Sequence, residues 1–114
     1  MISSLHRFRG YASLRRTYSQ GQTIRGPLFA VKTLANPRRE SYRAAIVVSR
    51  KVNKSAVVRN RIRRRLYEYL RELAPGFKSP HDIIVTVFHD TVAETPAKDL
   101  KSQLKSQLKK AGVL

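Results

Sequence analysis

A run of basic side chains near the middle of the chain is the part of this sequence best suited to binding a partner. Residues 59–65 read Arg-Asn-Arg-Ile-Arg-Arg-Arg, and residues 50–65 hold eight basic side chains and no acid. Arginine makes planar, two-point hydrogen bonds to phosphate and stacks on bases. Solvated charged faces normally mix both signs, so a face of one sign indicates a partner. The run therefore predicts a binding site for a polyanion.

No group of side chains has the spacing of a hydrolytic or metal site. The seven carboxylates are dispersed, the chain has no cysteine, and the three histidines lack metal-ligand spacing. Asp82 and Asp90 bracket a predicted strand, which fits solvated strand ends better than a metal pair. We therefore predict no catalytic residue and no metal ligand in the protein itself.

The net charge narrows the class of partner. A formal charge of +17 on 114 residues destabilises the compact state by self-repulsion. Such a charge is best explained by binding to an anionic partner, and nucleic acid is the leading candidate. The longest apolar run, residues 44–48, is too short to span a bilayer. The arginine run also lacks the Trp and Phe that would anchor a helix in a lipid surface. We expect a cytoplasmic protein without membrane association.

The spacing of apolar residues predicts a helix that positions the arginines. Three residues fall opposite the apolar stripe, namely Asn60, Arg64 and Arg71. Its flanks carry Arg61, Arg63 and Arg65. The stripe recurs every three or four residues and consists of Val58, Ile62, Leu66, Tyr69, Leu70 and Leu73.

Further elements on both sides complete a single domain. Asn53 or Ser55 is expected to cap the arginine helix, and Gly21 to end a first helix. Residues 36–40 predict a hairpin connection, so the strands on either side should pair antiparallel. We expect helices at 11–20 and 96–111, and strands at 28–34, 42–49 and 82–88. The order α-β-β-α-β-α predicts an α+β two-layer sandwich with helices on one face of a small mixed sheet. We expect one RNA-binding domain over residues 1–114, with flexible ends at 1–6 and 112–114.

Exposed aromatic side chains beside basic ones would suit unpaired RNA. Tyr11 and Tyr18 are candidates for stacking on bases, and for Tyr18 packing in the core is an equal alternative. Lys32 alternates with Phe29 and Val31, which predicts that one face of its strand is solvated or binds a ligand.

The combination of these features resembles the protein component of bacterial ribonuclease P. The central match is residues 59–64, preceded by Ser49, Arg50 and Lys51 at the end of a strand and by Ala56. The likeness spans residues 6–110 and includes an N-terminal spacing of Arg7, Phe8, Leu14, Tyr18, Gly21, Phe29, Thr33 and Leu34.

This resemblance implies a fold, an assembly and roles for particular residues. The fold would resemble the second domain of ribosomal protein S5, closed by a left-handed βαβ crossover, which is a rare hand. A catalytic RNA would perform Mg²⁺-dependent removal of the 5′ leader of precursor tRNA, with one protein per RNA. Leu14, Tyr18 and Lys32 would line a cleft for the leader. The residues implied to contact RNA are Arg50, Lys51, Arg59, Asn60, Arg61, Arg63, Arg64 and, beside the motif, Arg65.

Three positions depart from the family's common pattern. Leu14 stands where an aromatic is frequent, Lys32 occupies a position that can be aromatic, and Tyr67 replaces a basic residue.

Two other classes of protein remain open. A ribosomal or ribosome-associated RNA-binding protein has similar composition, and a DNA-binding protein is less favoured because the arginine helix lacks a helix-turn-helix partner.

Overall fold

The structure is a computed structural model that describes residues 6–8 and 10–114. Its longer elements follow one another along the chain with short connections, and 3₁₀ turns occupy Ala74–Gly76 and Asp90–Ala93. The helices and strands are α1 (Tyr11–Gln20), β1 (Gln22–Arg25), β2 (Phe29–Ala35), β3 (Arg43–Val47), α2 (Ala56–Leu73), β4 (His81–Val87) and α3 (Ala97–Lys110). The predicted α+β class with a small mixed sheet is confirmed.

Strand β4 lies inside the sheet, whose order is β1-β2-β4-β3. It pairs antiparallel with β2 and parallel with β3. The expected antiparallel pairing across residues 36–40 is therefore wrong, because β4 separates β2 from β3. Every residue of β4 is buried except the partly buried Thr86, which fits a strand covered on both faces. The connection from β2 passes the end of β4, where the Asn36 N–H donates to the Pro80 carbonyl over 3.0 Å.

The sequence pattern missed the edge strand β1. Its residues Gln22–Arg25 pair antiparallel with β2, but only Ile24 is partly buried. Strand prediction depends on alternating burial, and this strand is held mainly by backbone hydrogen bonds. The pattern therefore gave no signal here.

The helices cover different faces of the sheet. Phe29 and Val31 of β2 belong to the buried core that includes Leu66 of α2 and Leu104 of α3. Lys32 alternates with them, and its ammonium donates to the Tyr18 carbonyl of α1 over 2.7 Å. Helix α1 thus lies on the opposite face, so the expectation of all helices on one face is wrong for this helix.

The connection from β3 through α2 to the parallel strand β4 is the expected βαβ crossover. Its left hand stays a prediction from the resemblance.

The C-terminal end differs from the flexible segment expected at residues 112–114. Val113 is fully buried, its N–H donates to the Leu108 carbonyl, and its own carbonyl accepts from the Lys78 N–H. At the other end, residues 1–5 lie outside the described residues. The ring of His6 stacks on Tyr42 with centroids 4.2 Å apart.

Candidate RNA-binding surface

Helix α2 presents the basic residues because its opposite side is firmly buried. Ile62, Leu66 and Leu70 are fully buried, at about 1.5–3 kcal/mol for each such side chain. Ser55 caps the N-terminus by accepting from the Val58 N–H over 3.4 Å, as expected. Asn53 supports the cap, because its Oδ1 accepts from the Ser55 N–H over 2.8 Å. These anchors fix the rotation of the helix, and with it the direction of the arginines.

The outward face of α2 and the loop before it form an exposed basic surface, which we name the arginine face. Arg61, Arg64, Arg50 and Lys51 are all exposed. Their side chains make no hydrogen bond or ion pair with any residue that the structure describes. Asn60 is also exposed, and its Oδ1 accepts from Arg63 Nη1 over 2.9 Å. Asp90 and Glu94 line the same small cavity as Arg61, but they form no ion pair with it. Four exposed cations that are not paired with the described acids can neutralise the phosphates of a nucleic acid.

Arg59 and Arg63 have a second task within the protein. Arg59 Nη1 donates to the carbonyls of Asn53 (3.0 Å) and Lys54 (2.9 Å). Arg63 Nη2 donates to the Val48 carbonyl over 3.2 Å. Each guanidinium has five N–H donors, so these bonds leave others for a ligand. Both residues tie the loop between β3 and α2 to the helix.

Arg65 is placed differently from the other predicted contacts. Its Nη1 donates to the Val92 carbonyl over 2.6 Å, and its Nη2 donates to the Thr95 carbonyl and, over 3.4 Å, to the Tyr69 hydroxyl. The guanidinium is thus engaged by the segment that leads to α3. The structure gives Arg65 a part in packing, and its predicted RNA contact stays a prediction.

A second group of predicted residues meets on the opposite face of the sheet, where Tyr18 and Lys32 are neighbours. Besides its bond to the Tyr18 carbonyl, the Lys32 ammonium lies 5.7 Å from the Tyr18 ring centroid. The Tyr18 side chain is 43% exposed, which places it outside the core. Leu14, one turn earlier in α1, is partly buried. A basic and an aromatic group thus lie side by side, a combination that proteins use to bind single-stranded RNA.

Close packing at Gly21 holds α1 against the sheet. A Cβ atom there would lie 2.5 Å from the Thr17 carbonyl oxygen and 2.9 Å from Lys32 Cγ. Gly21 also ends α1, because its N–H donates to the Thr17 carbonyl. Only glycine allows this approach, which sets Tyr18 beside Lys32.

Comparison with known proteins decides the family. The model of the Ribonuclease P family matches residues 2–112 of this chain. The chain belongs to the ribonuclease P protein family. A ribonuclease P protein component from Pseudanabaena is 37% identical over 115 residues, covering 100% of this chain and 97% of that protein. One from Ligilactobacillus salivarius is 34% identical, covering 96% of this chain and 95% of that protein.

Solved structures agree with this membership of the ribonuclease P protein family. The RNase P protein of Staphylococcus aureus matches with a TM-score of 0.81 at 28% identity, covering 95% of this chain and 96% of the other. The RNase P protein of Thermotoga maritima matches with a TM-score of 0.79 at 23% identity, covering 91% and 96%. The latter likeness concerns the fold alone.

The departure from the ribonuclease P signature at Tyr67 has a structural counterpart. The Tyr67 hydroxyl accepts from the Ile46 N–H over 3.2 Å, so this side chain faces the sheet. A partly buried Tyr67 therefore links α2 to β3.

Sequence reasoning missed the main polar network of this family member. Asp82 is fully buried and accepts two hydrogen bonds of 2.8 Å from Arg43, at Oδ1 and Oδ2. Asn36 Nδ2 adds a third bond to Oδ2 over 3.1 Å. The interpretation of Asp82 as a solvated strand end is wrong, because α1, β3 and the connection after β2 surround this end of β4. The available signal was an acid directly before an apolar strand, with arginine and asparagine near two other strand ends.

Among residues 6–8 and 10–114, three titratable side chains have shifted pKa values. The hydrogen bond from Arg71 holds the pKa of Glu68 below its ordinary value, and the same pair raises the pKa of Arg71. Burial raises the pKa of Tyr42.

Within the described part of the chain, no three His, Asp or Glu side chains are grouped to hold a metal ion. The described helices include none that is long and apolar enough to cross a bilayer.

Proposed function

We propose that this chain is the protein subunit of ribonuclease P, which assists a catalytic RNA in removing the 5′ leader from precursor tRNA. The observation that carries the proposal is the arginine face of a member of this family. This face is a row of exposed cations that form no ion pair with residues 6–8 or 10–114. The protein contributes binding and positioning. Hydrolysis belongs to the RNA subunit in this proposal.

The arginine face is the surface for the catalytic RNA. Arg61, Arg64, Arg50 and Lys51 direct their charges outward, and Asn60 adds an amide for hydrogen bonding. Each phosphate that they neutralise releases counterions, so the affinity is expected to fall steeply with salt. The net charge of +17 also speeds encounter with RNA.

The surface formed by Tyr18, Lys32 and Leu14 is the one proposed to receive the leader. Tyr18 offers a partly exposed ring for stacking on an unpaired base. Lys32 supplies positive charge next to this ring for a phosphate. Leu14 adds apolar contact in place of an aromatic ring.

The proposal assigns the Mg²⁺ ion of the reaction to the RNA subunit. The same proposal includes one protein per RNA and action in the cytoplasm.

Reconstitution with a bacterial catalytic RNA tests the proposed function. We expect the protein to raise cleavage of precursor tRNA at low Mg²⁺. The double variant Arg61→Gln with Arg64→Gln should lose this effect. The matched control, Lys105→Gln with Lys109→Gln, removes the same charge from exposed positions of α3 and should retain it.

A ribosome-associated RNA-binding protein is the second candidate function, because a small basic α+β domain suits ribosome binding as well as binding to a catalytic RNA. Migration with ribosomal subunits, together with no stimulation of precursor cleavage, would favour it and contradict the proposal.

A further inference from the structure

A second basic surface lies at the end of the sheet opposite to the arginine face. Two adjoining clefts of about 350 and 250 Å³ share Arg16, Asn36 and Arg38 in their walls. Arg39 and Arg43 line the larger cleft. Neither cleft has an acidic residue among the described side chains that line it. We name this surface the Arg16/Arg38 cleft.

The Arg16/Arg38 cleft is separate from the surfaces already assigned. At about 100° per residue, Arg16 projects about 160° from Tyr18 around α1, which places it on the other flank of the helix. Asn36 follows the C-terminal end of β2, whereas the loop before α2 lies at the end where β2 begins. Six residue steps at about 3.3 Å separate these ends by about 20 Å.

The backbone that carries Arg38 is held in a fixed turn. The Arg39 N–H donates to the Asn36 carbonyl over 3.2 Å, and Pro37 occupies the position that proline favours in such a turn. Asn36 is itself buried and bound to Asp82 over 3.1 Å. The turn therefore presents Arg38 from a rigid support, which lowers the entropy lost when a ligand binds.

The two arginines themselves are available to a ligand. Arg16 and Arg38 are both exposed, and neither side chain bonds to a residue that the structure describes. Arg43 differs, because the ion pair with Asp82 occupies its guanidinium. Two cations facing one cleft without an acid repel each other, and an anion between them removes that cost.

We propose that Arg16 and Arg38 form a phosphate-binding site for an RNA backbone, in addition to the arginine face and the leader cleft. Arginine suits this role because its planar guanidinium binds two phosphate oxygens at once. The inference rests on the proposed function for the identity of the polyanion. The phosphodiester comes from the leader or from the catalytic RNA, and both supply the same chemistry.

The test compares two double variants of equal charge. Arg16→Gln with Arg38→Gln removes the site, and Lys105→Gln with Lys109→Gln is the control from exposed positions of α3. Affinity is measured as a function of salt concentration for three probes. The first is the binding of the protein to catalytic RNA alone. The second and third are the binding of the reconstituted protein–RNA complex to precursor tRNA with a short leader and with a long leader. We expect the arginine variant to lower the salt slope by roughly 1.4 beyond the control, from two phosphates at about 0.7 each.

The probe that responds identifies the source of the phosphate. If the salt slope falls only for precursor tRNA with the long leader, the phosphate belongs to the leader. If the slope already falls for catalytic RNA without tRNA, the phosphate belongs to that RNA. Slopes equal to the control for all three probes overturn the inference. If the double variant has a lowered unfolding midpoint, the single variant Arg38→Gln replaces it in the same salt-slope measurements, because Arg38 lies on a surface turn.

The wild-type protein separates the two proposals. If it binds catalytic RNA and stimulates cleavage while the arginine variant matches the control, only this inference fails. If the wild-type protein does neither, the proposed function fails first.

Discussion

Arg43 and Asp82 form a two-point ion pair across the parallel strands β3 and β4, with both hydrogen bonds at 2.8 Å. The carboxylate is fully buried and the arginine side chain is 13% exposed. Asn36 binds the same carboxylate, and the Phe8 ring lies 5.0 Å from Arg43 Cζ. The pair therefore joins four segments at the end of the sheet that carries the Arg16/Arg38 cleft.

Asp82→Asn should strongly destabilise the protein. The change leaves the Arg43 charge without its partner in a largely buried site, which costs about 3–5 kcal/mol. Urea denaturation measures the free energy of unfolding. Glu68→Gln is the matched control, because it breaks an exposed pair with Arg71 and should have little effect. Equal stability of the two variants would contradict the buried role of Asp82.

Arg64→Ala should weaken RNA binding without changing stability. Its side chain is exposed and makes no hydrogen bond or ion pair with the described residues, so the loss should appear only in the complex. The salt slope of binding to the catalytic RNA should fall by about 0.7–0.9. Arg59→Ala should lower the slope and also the unfolding midpoint, because it removes bonds to the Asn53 and Lys54 carbonyls. An unchanged salt slope in both variants would mean that neither arginine contacts the catalytic RNA.

Arg65→Ala should affect folding more than RNA affinity. It removes donors to the partly buried Val92 and Thr95 carbonyls. An acceptor left unbonded and out of reach of water costs about 1–3 kcal/mol, which sets the upper limit for each. Thermal unfolding and RNA titration of the same samples separate the two effects. A normal unfolding midpoint with a reduced salt slope would instead support the predicted RNA contact of Arg65.

Tyr18→Ala should weaken binding of precursor tRNA more than binding of mature tRNA. Removing one stacking partner costs about 1–3 kcal/mol for a single-stranded base, and only the precursor carries the leader. Competition between the two tRNAs for the reconstituted complex gives the ratio. Tyr18→Phe keeps the ring and should keep the preference. Equal losses for both tRNAs would assign Tyr18 to general packing.

Tyr42→Phe should make the protein more resistant to alkali. Burial raises the pKa of Tyr42 above its ordinary value of 10.0, so above that pH the unfolded chain loses this proton first. Proton release then favours unfolding, and the stability present below about pH 10 falls as the pH rises. Unfolding midpoints across this range should fall less in the variant. Identical pH profiles of the wild-type protein and the variant would show that the Tyr42 hydroxyl does not control the loss of stability at high pH.

Features that depend on local spacing could be predicted from the amino-acid sequence. The stripe through Ile62, Leu66 and Leu70 fixed the rotation of α2, and the exposed positions of Asn60, Arg61 and Arg64 followed from it. Alternation along β2 separated Lys32 from Phe29 in the same way. Helix and strand periods act over a few residues, so they can be read directly along the chain.

Tertiary structure alone decided which distant segments meet. β4 entered between β2 and β3, and this topology brought Asp82 to Arg43 and Asn36. It also engaged Arg65 with the segment before α3 and set Arg38 beside Arg16. Strand order and the pairing of charges depend on burial and hydrogen bonds summed over the whole domain. No local pattern around Asp82, Arg65 or Arg38 records that sum.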